Sequence, residues 1–209
     1  SWLFDGEIRH DDSHGIHDTV RPGEINLMTA GAGICHSEVS TENTTELHGV
    51  QLWTVLPEGA RHGPRRFDHY APRPVSFDGG SALVFLGSLL GSMSPVPTFT
   101  PLVGAELRME PGASLSLAVD PSFEHGLLVD TGEVTVGGVA VARTELAYTG
   151  TGADCLTVEN TGSAGARIIL IGGEPFGEDV VMWWNFIGRD DAEIRRYREE
   201  WNSHGDRFG

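Results

Sequence analysis

The amino-acid sequence predicts an all-β fold laid out twice along the chain and followed by a single helix. Three observations carry that expectation. The 209 residues include 28 glycines and 11 prolines, which punctuate short apolar runs in the manner of strands joined by tight turns. Two stretches share one layout: "FDGEIRHDDS" followed by "VRPGEINLMTAGAG", and "VDTGEVTVGG" followed by "VARTELAYTGTGAD". Each reads as a strand, an acidic Gly-Glu turn, a second strand and a glycine-rich turn, the signature of a duplicated unit. Convincing helical periodicity occurs only in "RDDAEIRRYREEWNSHG". The length suits two small units better than one.

Taken in order, the first unit opens on an apolar strand, Trp2 to Phe4, turns at Asp5-Gly6, and resumes with the alternating Glu7-Ile8-Arg9-His10. "RPGE" at 21–24 is a turn, with Pro where φ is already fixed and Gly where φ can be positive, and it leads into the strand Ile25 to Met28. "LHGVQLWTVLP", residues 47–57, reads as a strand buried on both sides. Its faces are Val50, Leu52 and Thr54 against Gln51, Trp53 and Val55. Residues 58–81 are polar, rich in Pro and Gly, and carry Arg61, Arg65, Arg66 and Arg73, so they read as a linker with an extended arm and a solvated basic face.

The expected domain boundary falls there, with residues 1–74 as the first unit and 75–209 as the second. Short β-rich runs then continue to "ARIILIGG", where Ile168 to Ile171 form a buried-type strand. The helix is expected over 190–204. Asp190 caps it, Glu193 stands in capping-box position, Ile194, Tyr197 and Trp201 line one face, and Gly205 stops it.

Composition excludes some functions. Thirty acidic against fourteen basic residues give a formal charge of -16, which repels nucleic-acid backbones and anionic lipid surfaces alike. Neither direct nucleic-acid binding nor membrane association is expected. Cys35 and Cys155 fit no disulfide framework or zinc-knuckle spacing, so a reducing, cytoplasmic setting is the expectation. Asp5, Glu7 and Arg9 come too early for a signal-peptide core.

The chemistry centres on "MTAGAGICHSEVS", residues 28–40. Side chains at i and i+2 of a strand share a face, so His36 and Glu38 can aim at one point inside a barrel, with Cys35 and Ser37 directed away. An imidazole with a carboxylate and no thiolate suits a divalent first-row ion, especially iron(II), manganese or nickel, rather than a structural zinc. The residues alone leave open a solvated pair at a strand start. They also leave open whether Gly31 and Gly33 bring backbone close to the site or only make the turn.

"RPGEINLMTAGAGICHSEVS" followed by "LHGVQLWTVLP" closely resembles the pirin family of bicupins, and the resemblance continues through "GEIRHDDSHG" and "IGGEPFGEDVVMWWNFIGRDDAEI". It implies two jelly-roll-like cupin barrels in tandem. It also implies that His36 and Glu38 are metal ligands, with Fe(II) the first choice and Mn, Ni, Cu or Zn as alternatives. The family's other two ligands lie in a His-x-His segment upstream of the point where this sequence begins, so the chain is expected to be N-terminally incomplete.

His10 matches a family position that is not a ligand, and His14 and His17 fall in a turn. His48 is expected to make a structural hydrogen bond, whereas His62, His69, His125 and His204 are expected to play no special role. "GTGADCLTVEN" in the second half lacks a histidine and offers only Asp154 and Glu159, so the second barrel is expected to be metal-free.

The resemblance implies a metal-dependent dioxygenase of the quercetin 2,3-dioxygenase type, acting on a small aromatic substrate, with Glu38 as both ligand and catalytic base. Its alternatives are a redox-responsive regulator acting through a protein partner, and a degenerate cupin without activity.

Overall fold

The computed structural model describes residues 1–209. They form two compact units, one of Ser1–His69 with Phe176–Gly209 and the other of Tyr70–Pro175. The expected all-β architecture with one C-terminal helix is observed.

The first unit begins with β1 (Trp2–Asp5), β2 (Ile8–Asp12), β3 (His17–Val20), β4 (Ile25–Thr29), β5 (His36–Ser40), β6 (His48–Val50) and β7 (Arg66–Tyr70). One sheet has the order β6-β1-β4-β7 and another β3-β2-β5. Period-2 alternation sets the faces: Ile8 and His10 are buried while Arg9 between them is exposed. Leu3, Ile8 and Val20 form an apolar cluster, and Trp2 and Ile25, paired across β1 and β4, are buried as well. Gly6, at φ 77°, makes the β1–β2 turn, where an added Cβ would lie 2.4 Å from the Glu46 carbonyl oxygen.

The second unit contains β8 (Val75–Phe77), β9 (Gly80–Leu86), β10 (Ser88–Leu89), β11 (Ser92–Met93), β12 (Leu102–Met109), β13 (Ser114–Ala118), β14 (Glu124–Thr131), β15 (Val134–Val136), β16 (Val139–Val141), β17 (Leu146–Thr149), β18 (Cys155–Asn160) and β19 (Ala166–Gly173). A six-stranded sheet, β17-β14-β19-β12-β9-β8, and a four-stranded one, β13-β18-β15-β16, share one apolar core. Leu107, Leu127, Ile168 and Leu170 enter it from the larger sheet, and Leu117, Leu156 and Val158 from the smaller. This is the two-sheet packing expected of a jelly roll.

The chain then returns to the first unit with β20 (Val181–Trp183), β21 (Phe186–Gly188), α1 (Asp191–Asn202) and a 3₁₀ turn, Asp206–Phe208. Division at 74/75 would leave α1 with the second unit, whereas the compact units place Phe176–Gly209 with residues 1–69. The physical reason is an ion-pair network. Arg61 makes a bidentate pair with Glu193, both bonds at 2.9 Å, and also donates to the Tyr197 hydroxyl. Arg189 donates to the Leu56 carbonyl and to Glu178.

Two further expectations are corrected. Of residues 47–57, only His48–Val50 forms a strand, and the rest is irregular, its backbone bonds going partly to side chains such as Arg189. Residues 58–81 are not a simple linker. They contain β7, β8 and the start of β9, and Arg61 and Arg65 turn inward instead of lining a solvated face.

At the helix start Asp190 accepts from the Glu193 N–H at 2.8 Å, as a cap should. The Glu193 carboxylate reaches past the cap to the Arg189 N–H, also at 2.8 Å. Ile194 and Tyr197 are buried, and Trp201 remains half exposed against Phe208.

The Arg61 guanidinium holds the Glu193 carboxyl at about 2, well below its ordinary 4.5. A depressed carboxyl pKa stabilises the fold above the unfolded value, and that stabilisation is lost as pH falls from about 4.5 towards about 2. Glu193→Gln should therefore cost about 2 kcal/mol at neutral pH, as expected for breaking one charge-assisted, partly buried pair. Urea unfolding at a series of pH values checks this, and the difference from the unsubstituted protein should narrow between pH 4.5 and pH 2.

Candidate metal centre

β5 is the edge strand of β3-β2-β5, and all five of its residues are exposed. It pairs antiparallel with β2 in the register Ile8↔Ser40, His10↔Glu38 and Asp12↔His36. Directly opposed residues share a face. The side that buries Ile8, His10 and Val20 is therefore also the side of His36 and Glu38, while Ser37 and Val39 lie on the other. The sequence-predicted pair thus sits on one face, at the open edge of the sheet.

Behind the pair lies a buried polar group formed by His10, which is expected not to be a ligand, and Asp12. The His10 and Asp12 side chains are 3% and 1% exposed, and His10 Nε2 is 3.1 Å from Asp12 Oδ2. The other ring nitrogen, His10 Nδ1, faces Glu38 Oε1 at 3.7 Å. The His10 ring stacks on His36 with centroids 5.5 Å apart and planes 23° apart, and its far side meets Phe67 at 4.9 Å. Asp12 Oδ1 accepts from the backbone N–H groups of His14 and Ile16. Burial alone would raise the Asp12 pKa, but the hydrogen bonds from His10, Ile16 and His14 together hold it below the ordinary carboxylate value.

Glu38 is contacted from its second oxygen as well, because Gln51 Nε2 donates to Oε2 at 3.2 Å. Its side chain remains 24% exposed. His36 lies with its backbone on the open edge and its ring against His10. This partial desolvation lowers its pKa, opposed by the Glu38 charge. A neutral imidazole is the form that binds metal.

The loop before β5 is fixed by the end of the chain. The Phe208 carbonyl accepts from the Cys35 N–H at 2.9 Å and from the Ser13 hydroxyl at 2.6 Å. Arg65 donates to the carbonyls of Gly33 and Arg207, and Arg207 donates to the Ala32 carbonyl. An added Cβ at Gly31 would lie 2.1 Å from the Gly63 carbonyl oxygen, and one at Gly33 would lie 2.8 Å from Arg207 Cγ. The two glycines therefore serve close backbone approach, but to the 63 turn and to Arg207 rather than to the metal-site pair.

No three His, Cys, Asp or Glu side chains converge as a set able to hold a metal ion. The remaining histidines lie elsewhere. His14 and His17 are exposed, the latter paired with Asp11 at 2.7 Å. His48 meets the Phe4 ring edge-on. His69 is on β7 and bonds Asn26 at 2.6 Å. His125 is buried on β14. Cys35 and Cys155 are free thiols.

In the second unit, Cys155, Thr157 and Glu159 share the outward face of β18, while Leu156 and Val158 point into the core. Glu159 accepts from the Thr135 hydroxyl. No helix is long and apolar enough to cross a membrane.

His10 was legible in principle. It occupies the buried parity of an alternating strand, where an imidazole must find a partner. Gln51 lay inside the quoted "LHGVQLW" without being singled out.

The site predicts a titration. In metal-free protein the His36 ring should titrate below the ordinary 6.5, because partial burial disfavours its charged form. The fold then carries a cost for charging His36 that is absent above pH 6.5 and grows as pH falls below it. Two-dimensional NMR of the imidazole nitrogens measures the midpoint; Glu38→Gln, which removes the opposing charge, should lower it further.

Residues 1–54 match the Pirin family and residues 104–209 match the Pirin C-terminal cupin domain. A Pseudomonas aeruginosa protein provisionally named a quercetin 2,3-dioxygenase is 41% identical over 210 residues, covering 100% of this chain and 66% of its own length. A pirin-like protein of Caulobacter vibrioides is 31% identical, with 97% and 71% covered. The crystal structure of an Acinetobacter baumannii quercetin 2,3-dioxygenase superposes with a TM-score of 0.94 at 36% identity, over 100% of this chain and 69% of that one. The chain thus spans about two thirds of the length of these relatives.

Proposed function

The chain belongs to the pirin family of bicupins, and on that premise we propose that it binds a divalent first-row metal through His36 and Glu38 and acts as a dioxygenase on a flavonol-like aromatic substrate. The observation that carries this reading is the placement of the two donors. They share one face at an open sheet edge, with Glu38 contacted on one oxygen by Gln51 and faced on the other by His10. The similarity to proteins named quercetin 2,3-dioxygenase supplies the substrate class.

The residues present fit such an ion as a partial donor set. The neutral imidazole and the carboxylate are nitrogen and oxygen donors without thiolate, a pairing that favours Fe(II), with Mn(II) and Ni(II) as the next choices. Two donors leave the other coordination positions to ligands beyond this pair. An ion held there would supply Lewis acidity and one-electron chemistry for the reaction of an aromatic substrate with dioxygen.

This chain's own residues perform the rest. Glu38, partly exposed, accepts the proton of an incoming aromatic hydroxyl, and Gln51 keeps its Oε2 from turning away. We assign the chemistry to the unit that holds β5 and treat the second unit as metal-free, since its Glu159 faces outward. A regulator working through a basic surface has less support, because Arg61 and Arg65 are engaged inside the fold.

The test is metal stoichiometry by mass spectrometry on the full-length protein, with His36→Ala and Glu38→Ala alongside, followed by oxygen uptake with quercetin. The expected result is about one metal per chain, at least tenfold weaker binding in each variant, and uptake only with metal present. Metal content unaffected by both substitutions would remove the metal assignment. Stoichiometric metal without uptake would remove the dioxygenase assignment alone.

A further inference from the structure

We propose that the buried Asp12–His10 pair is the positioning device for the Glu38 carboxylate, acting through His10 Nδ1, and that neither residue ligates the metal. The proposal rests on the reading of His36 and Glu38 as ligands and extends it to a layer behind them.

The geometry argues each step. Asp12 is immobilised by the backbone N–H groups of His14 and Ile16 on one oxygen and by His10 Nε2 on the other. With Asp12 accepting from Nε2–H the orientation of the His10 ring is set, and the His36 and Phe67 rings packed against it stop it from turning; the positioning role has the ring carry its second proton on Nδ1, because a bare lone pair there would repel the Glu38 carboxylate. Nδ1 is thereby aimed at Glu38 Oε1 at 3.7 Å, too far for a formed hydrogen bond and too close for a water to stand between. The carboxylate is flanked by this nitrogen and by the Gln51 amide on its second oxygen.

Both His10 and Asp12 are almost wholly enclosed, and the nitrogen and oxygen they share face each other rather than the open edge. Asp12 thus has both oxygens occupied and His10 has only Nδ1 left, turned to Glu38 Oε1, an arrangement that suits an outer-layer role, in which a buried partner fixes the direction of a metal-binding side chain. Partners of this kind commonly change metal affinity by 10- to 100-fold when removed.

The test compares Asp12→Asn, His10→Ala, His10→Asn and His10→Gln with Glu38→Ala in the full-length protein. Binding of Co(II) is followed by calorimetry and by its visible d–d spectrum, and the melting temperature of the metal-free protein serves as the control for folding. An Asn at position 10 keeps an amide nitrogen where Nδ1 stood, whereas a Gln keeps one where Nε2 stood. The expected result is a 10- to 100-fold loss of affinity with an altered spectrum in His10→Ala and His10→Gln, and substantial recovery in His10→Asn. Asp12→Asn should lose affinity while melting close to the unsubstituted protein.

If Glu38→Ala abolishes Co(II) binding while all His10 and Asp12 variants bind and absorb as the unsubstituted protein does, the pair is purely structural and the proposal fails with the metal site intact. If His10→Asn shows no recovery over His10→Gln, transmission through Nδ1 is wrong. If Glu38→Ala binds Co(II) unchanged, the ligand assignment itself falls and the positioning role falls with it.

Discussion

The antiparallel register between β2 and β5 is the constraint on which the site depends. Because side chains alternate strictly, placing His10 opposite Glu38 and Asp12 opposite His36 puts four chemistry-bearing groups on one face. A slip of one residue would send His36 and Glu38 to the side occupied by Ser37 and Val39. The register is held at both ends. The buried Ile8 opposes Ser40, and at the other end the turn after Asp12 is tied to the residue before His36, since the Phe208 carbonyl accepts from both Ser13 and Cys35. The residues around 208 are therefore part of the site's support.

That tie explains the grouping of the last segment with the first. An isolated twelve-residue helix with three arginines and several carboxylates has little intrinsic stability. Here it is fastened by Ile194 and Tyr197 in apolar contact and by Glu193, whose two oxygens receive Arg61 and the Arg189 backbone. The same segment supplies Arg207, which reaches the Ala32 carbonyl in the glycine loop. The placement of His36 and Glu38, the loop conformation and the helix docking are in this way one set of hydrogen bonds.

Local signals in the sequence were reliable where the interaction was local. The Asp5-Gly6 and Pro22-Gly23 turns, the alternation of β2, the apolar run of β19 and the Asp190 cap all follow from residues within a few positions of one another. Long-range polar pairing was not legible. Arg61 lies among polar residues that read as a linker, and its partner is 132 positions away. Residues 51–57 alternate as a strand would, yet their backbone partners include a side chain, Arg189, rather than a neighbouring strand. The His36–Glu38 pair was visible from i, i+2 spacing. His10 and Asp12 required the register of a second strand.

The second unit puts the same kind of strand alternation to a different use. Its strand β18 again alternates, but the inward positions are Leu156 and Val158, opposite Leu117 and Leu115, and all four are buried in a continuous apolar core. Cys155, Thr157 and Glu159 fall on the outward parity, and the one inward polar side chain of the strand, Asn160, is buried and donates to the Met109, Glu110 and Ala164 carbonyls. In the first unit the same kind of sheet face carries His10, Asp12, His36 and Glu38, and polar groups there must be satisfied by one another or by a ligand. The two units therefore divide the demands on the chain: apolar packing in the second, and in the first a polar face whose cost is offset by the hydrogen bonds that also orient it.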